Sequence, residues 1–356
     1  MAKKKTASAA EETAGKTVES LDVVRKAIEK KYGKVLTMMG DQPLIIDTIS
    51  TGSLGLDTAI GNGGFALGRV YEVFGPPSGG KTTLTMSLIA QAQKRGMKCA
   101  FVDAERAADP KLFKAMGVNT DELYLIRAFS GEENLDILEQ LVATGEIDVA
   151  VVDSVSSLIP KSEADASMED QFMGLLARLM SKAMRKFVPL AGETNTLVIF
   201  INQVRNKIGT YGDPETTTGG VALDFSATGR IRVHGGESKA SRIEAPNGEI
   251  LGHHTEFKVV KNKLAKPARK ANVPLIYGVG YDTCWECLKL ATDLGVVDKS
   301  GSWYSYGDVK IGQGEVNTLA FLKDPANLDV YNEIRFQVMD SLGLIPLYEK
   351  NGGIPQ

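Results

Sequence analysis

Residues 75–83, GPPSGGKTT, stand between an apolar run, RVYEVFG (69–75), and a segment of helical length, KTTLTMSLIAQAQKRG (81–96). They match the pattern G-x-x-x-x-G-K-[ST], which binds phosphate when a strand precedes it and a helix follows it. Glycine lets main-chain N–H groups curl around an anion, and the following helix directs the positive end of its dipole toward the same point. We therefore predict a nucleotide-phosphate site. The alternative is a glycine-rich turn that binds nothing.

The residues of this loop have distinct expected tasks. Lys81 would reach the β and γ oxygens of the nucleotide, and the Thr82 hydroxyl would hold Mg²⁺. ATP and Mg²⁺ are therefore the predicted cofactors. The predicted nucleotide-binding residues of the loop are Gly75, Pro76, Pro77, Ser78, Gly79, Gly80, Lys81, Thr82 and Thr83.

Two strand ends elsewhere in the chain supply carboxylates that suit such a site. Asp153 ends the apolar run VAVVDSV (149–155), and beside a phosphate loop it can join the Mg²⁺ shell. Without that loop it would be interpreted as a polar strand end or a helix cap. Glu105 follows another strand, and hydrolysis needs a carboxylate that orients or deprotonates the attacking water. We interpret Asp103 as structural, and Arg106 could pair with either acidic residue.

Apolar runs of strand length alternate with segments of helical length from residue 69 to residue 203. The runs are RVYEVFG, KCAFVDAE, LYLIRA, IDVAVVDSV and NTLVIFINQ. Such strands, separated by helices, predict an α/β fold with a mostly parallel sheet that is covered on both faces. Three more strands follow, GRIRVHG, HTEFKVVKNK and VPLIYGVGYD. From about residue 282, a helix, a glycine-rich hairpin zone and a last helix predict a small α+β domain.

The N-terminal segment differs from this core. The first residues, MAKKKTASAAEETAGKT, lack the apolar centre of a signal peptide. SLDVVRKAIEKKYG (20–33) predicts an amphipathic helix that stands apart from the core. The predicted divisions are a disordered arm at 1–17, a helix and linker at 18–45, an ATPase core at 46–281, a C-terminal domain at 282–345 and a tail at 346–356.

Composition narrows the classes of function. The formal net charge of -3 gives no global basic field, so any binding of nucleic acid must come from local patches. The longest apolar runs have strand length, so we expect no membrane span. Three cysteines are too few for a disulfide framework and favour a cytoplasmic location. Cys284 and Cys287, in CWEC, could be a redox pair or half of a zinc site, but two small apolar residues on a helix are favoured.

A polar segment follows the last of the parallel strands. It reads NQVRNKIGTYGDPETTTGG (202–220), with no apolar period and three consecutive threonines. Loops of this length without structure of their own are uncommon in compact domains, and most are functional or disordered. The composition alone does not say what this one binds.

Eight motifs in this chain resemble, in order, those of the bacterial RecA recombinases. They are ISTGSLGLD, GPPSGGKTT, DAERAADP, VVDSVSSL, MGLLARLMSKAMRK, FINQVRNKIG, PETTTGG and KVVKNKLAKP. The resemblance runs from about residue 20 to residue 345 and is far more specific than a phosphate loop alone. It implies a RecA-type fold and a DNA-dependent ATPase. Such a protein forms helical filaments on single-stranded DNA and pairs it with homologous double-stranded DNA in recombinational repair.

The resemblance assigns the polar segment to DNA. In this family it is a loop that ATP and DNA order, and Gln203, at the strand tip, reports the γ-phosphate to it. Cations such as Arg205 and Lys207 can follow a phosphate backbone, and Tyr211 can stack on a base. The alternative is a surface loop without function. The implied DNA-binding residues here are Val204, Arg205, Asn206, Lys207, Ile208, Gly209, Thr210, Tyr211, Gly219 and Gly220.

The resemblance implies further site residues. A second DNA-facing loop, KSEADASMEDQFMG (161–174), ends at Met173 and Gly174, and the next helix offers Arg178 and Arg185. That loop is acidic in this chain, so its charge does not by itself indicate DNA binding. Asp109 joins the nucleotide-binding set. ATP would lie between subunits, so that Lys261 and Lys263 reach the γ-phosphate of the neighbour; from spacing alone they would be an ordinary charged strand end. The implied catalytic residues are Lys81, Glu105, Gln203, Lys261 and Lys263. The resemblance also implies that the helix at 18–45 serves oligomerisation.

Four features depart from the family pattern and indicate a divergent member, such as one encoded by a phage. Leu112 stands where a tyrosine usually contacts adenine, and the DNA loop is one residue shorter around 210–213. The segment 234–254 is longer than usual, and the C-terminus lacks a strongly acidic tail. Two other functions stay open at this point. The chain could be another motor of this fold, such as a hexameric helicase, or a DNA-binding filament that does not hydrolyse ATP.

Overall fold

The computed structural model describes residues 20–33, 35–41, 46–167, 174–206, 215–236, 239–245, 247–351 and 353. The chain divides into two compact units, Met1–Ile46 and Asp47–Gln356. In the first unit, α1 (Leu21–Tyr32) has an i,i+4 ion pair from Arg25 to Glu29 and ends at Gly33, and none of its residues is buried. The helix predicted at 20–33 is therefore present. The arm predicted at 1–17 lies outside the described residues.

The second unit alternates strands and helices in its first half. The elements are β1 (Thr48–Ile49), α2 (Leu54–Ile60), β2 (Phe65–Ala66), β3 (Val70–Gly75), α3 (Lys81–Lys94), β4 (Cys99–Asp103), α4 (Pro110–Ala115), β5 (Leu123–Ile126), α5 (Gly131–Ala143), β6 (Val149–Asp153), α6 (Lys161–Ala164), α7 (Leu175–Thr194), β7 (Leu197–Asn206), β8 (Glu215–Thr217) and α8 (Ala222–Ser226).

Its second half is richer in antiparallel strands. The elements are β9 (Gly229–Gly235), β10 (Arg242–Glu244), β11 (Ile250–Asn262), β12 (Lys270–Ile276), β13 (Gly280–Tyr281), α9 (Thr283–Asp293), β14 (Asp298–Ser300), β15 (Trp303–Tyr306), β16 (Val309–Gln313), α10 (Glu315–Lys323), α11 (Leu328–Ser341) and α12 (Ile345–Lys350). In the part of the chain that the structure describes, no helix has the length and apolar character needed to cross a membrane.

One sheet of eleven strands organises the second unit. Its order is β13-β12-β11-β9-β3-β7-β6-β4-β5, with β10 added to β11 and β8 added to β7. The six strands from β9 to β5 along this order run parallel, and the rest pair antiparallel. The α/β fold with a mostly parallel sheet is confirmed.

Alternating strand residues cover both faces of this sheet. Val70, Val102, Val152 and Phe200 face a cluster completed by α5 and α7, including Phe187. Their sequence neighbours point to the opposite face, since successive strand residues alternate; that face is covered by α3, which contacts β3, β4 and β6. This double covering explains why the central strands are apolar throughout. It also leaves the carboxyl ends of parallel strands at one edge, where the predicted site residues begin.

The C-terminal region has its own core and three-stranded sheet, β14-β15-β16. Cys284 and Cys287 lie on α9 inside that core and are unbonded. Burial raises the pKa of their thiols to about 11 and about 12. Both thiols are therefore protonated at neutral pH, which agrees with the structural interpretation of CWEC.

Three local features differ from the sequence expectation. The long segment 234–254 contains β10, which forms a hairpin with β11 through a turn at Asn247 and Gly248. The polar segment after Gln203 is partly a strand, because β7 continues through Asn206 and pairs with β8. The predicted tail includes most of α12, and the hydroxyl of the buried Tyr348 on this helix donates a 2.7 Å hydrogen bond to Asp57.

Two buried carboxylates hold the C-terminal region to the loop between β1 and α2. Asp57 accepts hydrogen bonds from the Ser50 hydroxyl (2.5 Å) and the Tyr348 hydroxyl (2.7 Å). Glu286, on α9, accepts from the Ser53 hydroxyl (2.5 Å) and from the main chain of α2. Burial raises the pKa of Asp57 to about 6 and that of Glu286 to about 7, against the donors that favour the charged forms.

The raised pKa values of Asp57 and Glu286 predict that the free energy of unfolding falls as the pH rises. A carboxyl group whose folded pKa is raised binds protons on folding, so its contribution is complete below its unfolded pKa and is lost as the pH rises through about 7. Glu286→Gln cannot titrate. Between pH 5 and pH 8 the wild type should therefore lose on the order of 3 kcal/mol more unfolding free energy than the variant. Urea titrations at both pH values measure this, with exposed Glu349→Gln as the control. Equal losses in wild type and Glu286→Gln would contradict it.

Candidate nucleotide and nucleic-acid site

The phosphate loop joins β3 to α3 at the carboxyl edge of the sheet. Glycine is required at two of its positions for different reasons. At Gly75 an added Cβ would lie 1.9 Å from the Val233 carbonyl oxygen, so β9 leaves no room for a side chain. Gly80 has φ +100 and caps α3 at its N-terminus. Pro77 and Ser78 form the exposed outer turn.

Lys81 begins α3 and is buried, with 8% of its surface exposed. Its ammonium group donates a 2.6 Å hydrogen bond to the Pro76 carbonyl and forms no ion pair among the described residues. Burial lowers the pKa of Lys81, while Asp153 and Glu105 act in the opposite direction. A buried cation without an ionic partner fits a site for an anion such as a nucleotide phosphate.

The predicted metal-binding pair is brought together. The Thr82 hydroxyl donates a 2.7 Å hydrogen bond to Asp153 Oδ2, although 71 residues separate them. Burial raises the pKa of Asp153 to about 6, and the bond from Thr82 opposes that shift. One hydroxyl and one carboxylate match the sparse protein ligation of Mg²⁺ in phosphate sites, where phosphate oxygens and water complete the shell. The residues present therefore fit Mg²⁺.

Glu105 lies next to this pair, and two side chains hold its carboxylate. Oε1 accepts a 2.5 Å hydrogen bond from the Ser154 hydroxyl and a 3.2 Å bond from Gln203 Nε2. Ser154 follows Asp153 directly and also bonds to the Ser156 hydroxyl at 2.7 Å. Glu105 follows β4, and residues after β6 and within β7 thus fix its carboxylate from two sides. Such a group can orient or deprotonate a water molecule.

Asp103 has the structural role expected of it, with a different arginine. Its carboxylate accepts from the main-chain N–H groups of Ala107 and Ala108 and from Arg127 Nε at 2.8 Å. Arg106, at φ +58, turns away and donates to the Ala128 carbonyl. The pairing considered for Arg106 is therefore taken by Arg127, from the end of the adjacent strand β5.

Asp109 lies on the same rim, at the start of α4. It is the N-cap of that helix and accepts a 2.9 Å hydrogen bond from the Lys111 N–H. Leu112, at the position expected to contact adenine, is 37% exposed on α4. Both residues are open to solvent, and neither forms a hydrogen bond or ion pair with the phosphate loop in the described part of the chain.

Gln203 connects the nucleotide site to the hairpin of β7 and β8. Its Nε2 contacts Glu105, and its Oε1 accepts a 3.1 Å hydrogen bond from Arg205. Val204, Arg205 and Asn206 pair with Thr217, Thr216 and Glu215. Arg205 is exposed to solvent, and its guanidinium also donates a 3.2 Å hydrogen bond to the Val204 carbonyl.

Two interactions that the sequence analysis missed anchor this hairpin. Glu215 accepts two hydrogen bonds from Arg232 of β9, at 2.8 and 2.6 Å. Asn202 donates to Glu72 at 2.8 Å and to the Thr218 carbonyl at 2.9 Å. Arg230 then pairs with Glu72 at 2.5 Å, which offsets the increase in the Glu72 pKa caused by burial. Alternating polar residues inside apolar strands were the only sequence signal for these contacts.

The glycines after β8 bring the hairpin against α7. At Gly219 (φ +84) an added Cβ would lie 2.9 Å from Met180 Cγ, so this glycine is buried against the helix. Gly220 (φ +74) is exposed and lies over Ala177. Gly174 caps α7 at φ +75. Arg178 and Arg185 project from α7 two turns apart and are exposed, so they share one face of the helix.

Lys261 and Lys263 are not brought to the phosphate loop of their own chain. The Lys261 ammonium donates to the carbonyls of Asp224 and Phe225, and Lys263 lies 3.4 Å from the carbonyls of Phe225 and Ser226. Both lysines therefore provide hydrogen-bond donors for the main-chain carbonyls at the C-terminal end of α8, where cations are favoured.

Several predicted DNA-binding residues lie outside the described residues, and their placement stays a prediction. They are Met173, Lys207, Ile208, Gly209, Thr210 and Tyr211. Asn206 is described only through its backbone, in β7. Ser154 is the site residue that the sequence analysis did not select; its place directly after Asp153, at a strand end, was the available signal.

Comparison with known proteins agrees with this arrangement. The family models for the RecA N-terminal domain and the RecA C-terminal domain match residues 19–282 and 286–343. Protein RecA of Campylobacter jejuni is 46% identical over 92% of this chain and 94% of its own length. Protein RecA of Paracoccus denitrificans is 47% identical over 92% and 91%, and that of Deinococcus radiodurans 44% over 91% and 88%. With both domain models and near-full-length relatives matched, the chain belongs to the bacterial RecA family.

Proposed function

We propose that this chain is an ATP-dependent recombinase. It forms helical filaments on single-stranded DNA and exchanges strands with homologous double-stranded DNA. One observation supports this most strongly: Gln203 bonds to the carboxylate of Glu105 on one side and to Arg205 of the hairpin on the other. A ligand that moves the hairpin would move a group bonded to the hydrolytic carboxylate, as DNA-dependent ATP hydrolysis requires.

In the proposed reaction, residues of this chain position the nucleotide phosphates and activate the attacking water. Main-chain N–H groups of the loop and Lys81 would hold the phosphates, and burial would strengthen these interactions because water is excluded. Glu105 would orient the attacking water and take its proton, with Ser154 and Gln203 fixing the carboxylate. Thr82 and Asp153 would hold Mg²⁺, which supplies positive charge to the phosphate oxygens when bound.

The proposed DNA surface combines the hairpin and one face of α7. Arg205 on β7 and Arg178 and Arg185 on α7 are exposed, and the close packing of Gly219 and Gly220 against α7 joins the two elements. We assign to this surface the loop residues 207–211 as well. Phosphate contacts from these cations would provide affinity without sequence preference, as strand exchange between arbitrary sequences requires.

Assembly would complete the site. We propose that α1 binds an adjacent subunit, and that Lys261 and Lys263 leave the carbonyls of α8 to reach the ATP of a neighbour. Repetition of one such heterologous contact produces a filament when the repeated rotation does not close into a ring. The nucleotide would then bridge two subunits and favour the assembled state by mass action.

An ATPase assay with and without single-stranded DNA tests this function. We expect slow hydrolysis by the protein alone and a large stimulation by single-stranded DNA, with filaments visible by electron microscopy. Closed rings would indicate a hexameric motor instead, and filaments without any hydrolysis would indicate a scaffold.

The exposed Arg205 of the hairpin formed by β7 and β8 allows a quantitative prediction for DNA binding. Arg205→Ala should weaken binding of single-stranded DNA and reduce the magnitude of the slope of log K against log salt by about 0.7, the value for one lost phosphate contact. Titrations of fluorescent oligonucleotide at several salt concentrations measure it. Lys114→Ala, which removes an exposed cation from α4, should leave the slope unchanged. A slope in Arg205→Ala equal to that of the wild type would remove this residue from the DNA surface.

A further inference from the structure

Three buried polar atoms on β11 and β13 make no hydrogen bond among the described residues. They are His253 Nε2, Thr255 Oγ1 and Tyr281 OH. His253 and Thr255 are two residues apart on β11, so their side chains leave the same face of the strand. An added Cβ at Gly80 would lie 3.6 Å from Thr255 Oγ1, which places this face against the start of α3. Buried groups of this kind are rare and call for an explanation.

Of these three groups, His253 is the one that can become a cation near neutral pH. Only 1% of its surface is exposed. Nδ1 lies 3.1 Å from the Tyr277 hydroxyl. The ring packs against Gly235 of β9, since an added Cβ there would be 2.7 Å from its Cδ2 and 2.9 Å from its Nε2. Gly79 lies on this side too, because its own added Cβ would be 3.8 Å from the Gly235 nitrogen.

The surroundings of the ring favour its neutral form. Burial lowers the pKa of His253, and the nearby His254 lowers it further, while the Gly79 main chain raises it. The Gly79 main chain therefore lies near the ring, although Nε2 has no partner at hydrogen-bond distance among the described residues. On β10 the residue paired with His253 is Arg242, an exposed cation on the same face of the sheet. The main chain of Gly235, Gly236 and Gly79, which also lies near the ring, is uncharged.

We propose that His253 is a positioning residue for the phosphate loop, with Tyr277 holding Nδ1 and Nε2 directed at the Gly79 main chain. The inference rests on the proposed function, because it concerns how this loop holds a nucleotide. When the Tyr277 hydroxyl donates to Nδ1, the single proton of the neutral ring is on Nε2, the nitrogen that faces Gly79. The imidazole then supports the turn that carries the phosphate-binding N–H groups.

A pH dependence of nucleotide binding follows. Nucleotide phosphates in the loop would lie close to the ring and favour its protonated form, so binding should raise the pKa of His253 and take up a proton. A rise of about one unit corresponds to about tenfold tighter binding at the low-pH limit. Of the three histidines in the chain, His254 is the matched control: it is adjacent on β11, and its ring packs on Trp285 at 5.0 Å.

The test is calorimetric titration of Mg·ADP into wild type, His253→Gln, His253→Asn and His254→Asn at pH 6 and pH 8, in buffers of different ionisation enthalpy. Gln keeps an amide near the position of Nε2, whereas Asn keeps one only near Nδ1. We expect wild type and His254→Asn to share a steeper tightening toward pH 6 and a larger proton uptake than either His253 variant. At pH 8, His253→Asn should bind more weakly than His253→Gln.

Tyr277→Phe keeps the imidazole and changes an exposed residue, so its folding is not at risk. Its binding defect should be larger at pH 8, where Tyr277 sets the tautomer, than at pH 6, where both ring nitrogens carry protons. Equal pH dependence in wild type and His253→Gln, or an equal Tyr277→Phe defect at both pH values, would overturn the inference. A wild type that does not bind Mg·ADP at all would overturn the proposed function, and this inference with it.

Discussion

Glu105→Gln should slow DNA-stimulated ATP hydrolysis by about 10²- to 10⁴-fold while leaving ATP and DNA binding nearly intact. The amide keeps an oxygen for the Ser154 hydroxyl, but it cannot accept a proton, and loss of a general base has an effect of this size. Filaments of this variant should remain on DNA because the step that releases them is blocked. Steady-state ATPase and filter binding on the same preparation measure both properties.

Two variants make that result specific. Lys81→Ala should lose nucleotide binding as well as turnover, because Lys81 is the buried cation of the loop. Glu122→Gln, an exposed carboxylate away from the site, should hydrolyse ATP like the wild type. If Glu105→Gln hydrolysed ATP at the wild-type rate, Glu105 would have no part in the mechanism.

The second large effect is complementation between two inactive proteins. Lys81→Ala lacks a working phosphate loop, and Lys263→Ala lacks the cation proposed to act on the neighbour's ATP. In randomly mixed filaments with equal amounts of each, about one quarter of the interfaces join an intact loop to an intact Lys263, as expected for a heterologous contact. The mixture should therefore recover up to about one quarter of wild-type hydrolysis.

A different result is expected if Lys263 does not act on a neighbouring subunit. If Lys263 acts only on its own chain, or only caps α8 as it does in the single chain, no mixture can exceed the better of the two variants. Electron microscopy of differently labelled proteins must show that the filaments are mixed. A mixed filament without recovered hydrolysis would contradict the action of Lys263 on a neighbour.

Local patterns explain what the sequence could predict. The central strands are apolar throughout because both faces of the sheet are covered, and this signal marked β3, β4, β6 and β7. The loop 75–83 has the fixed spacing typical of phosphate-binding loops, and it lies between the predicted strand and helix. The parallel arrangement then brings the carboxyl ends of the strands to one edge of the sheet. Thr82 and Asp153, which are 71 positions apart in the sequence, therefore lie in contact, as predicted.

Contacts between distant segments had no such signal. Glu286 and Ser53 are 233 residues apart, and a glutamate on an amphipathic helix gives no indication that it will be buried. Arg127 replaced Arg106 as the partner of Asp103 because Arg106 leaves the strand at a positive φ, which sequence spacing does not reveal. The hairpin of β7 and β8 was predicted as a loop, since its threonines carry no apolar alternation.

The central claim is that this chain pairs homologous DNA at the expense of ATP. The direct measurement mixes wild-type protein, ATP and Mg²⁺ with circular single-stranded DNA and linear double-stranded DNA, and follows joint molecules on a gel. We predict joint molecules with homologous duplex, none with heterologous duplex, and none when Lys81→Ala replaces the wild type. Joint molecules that form equally with heterologous duplex, or none with homologous duplex although the protein coats the single strand, would contradict the account.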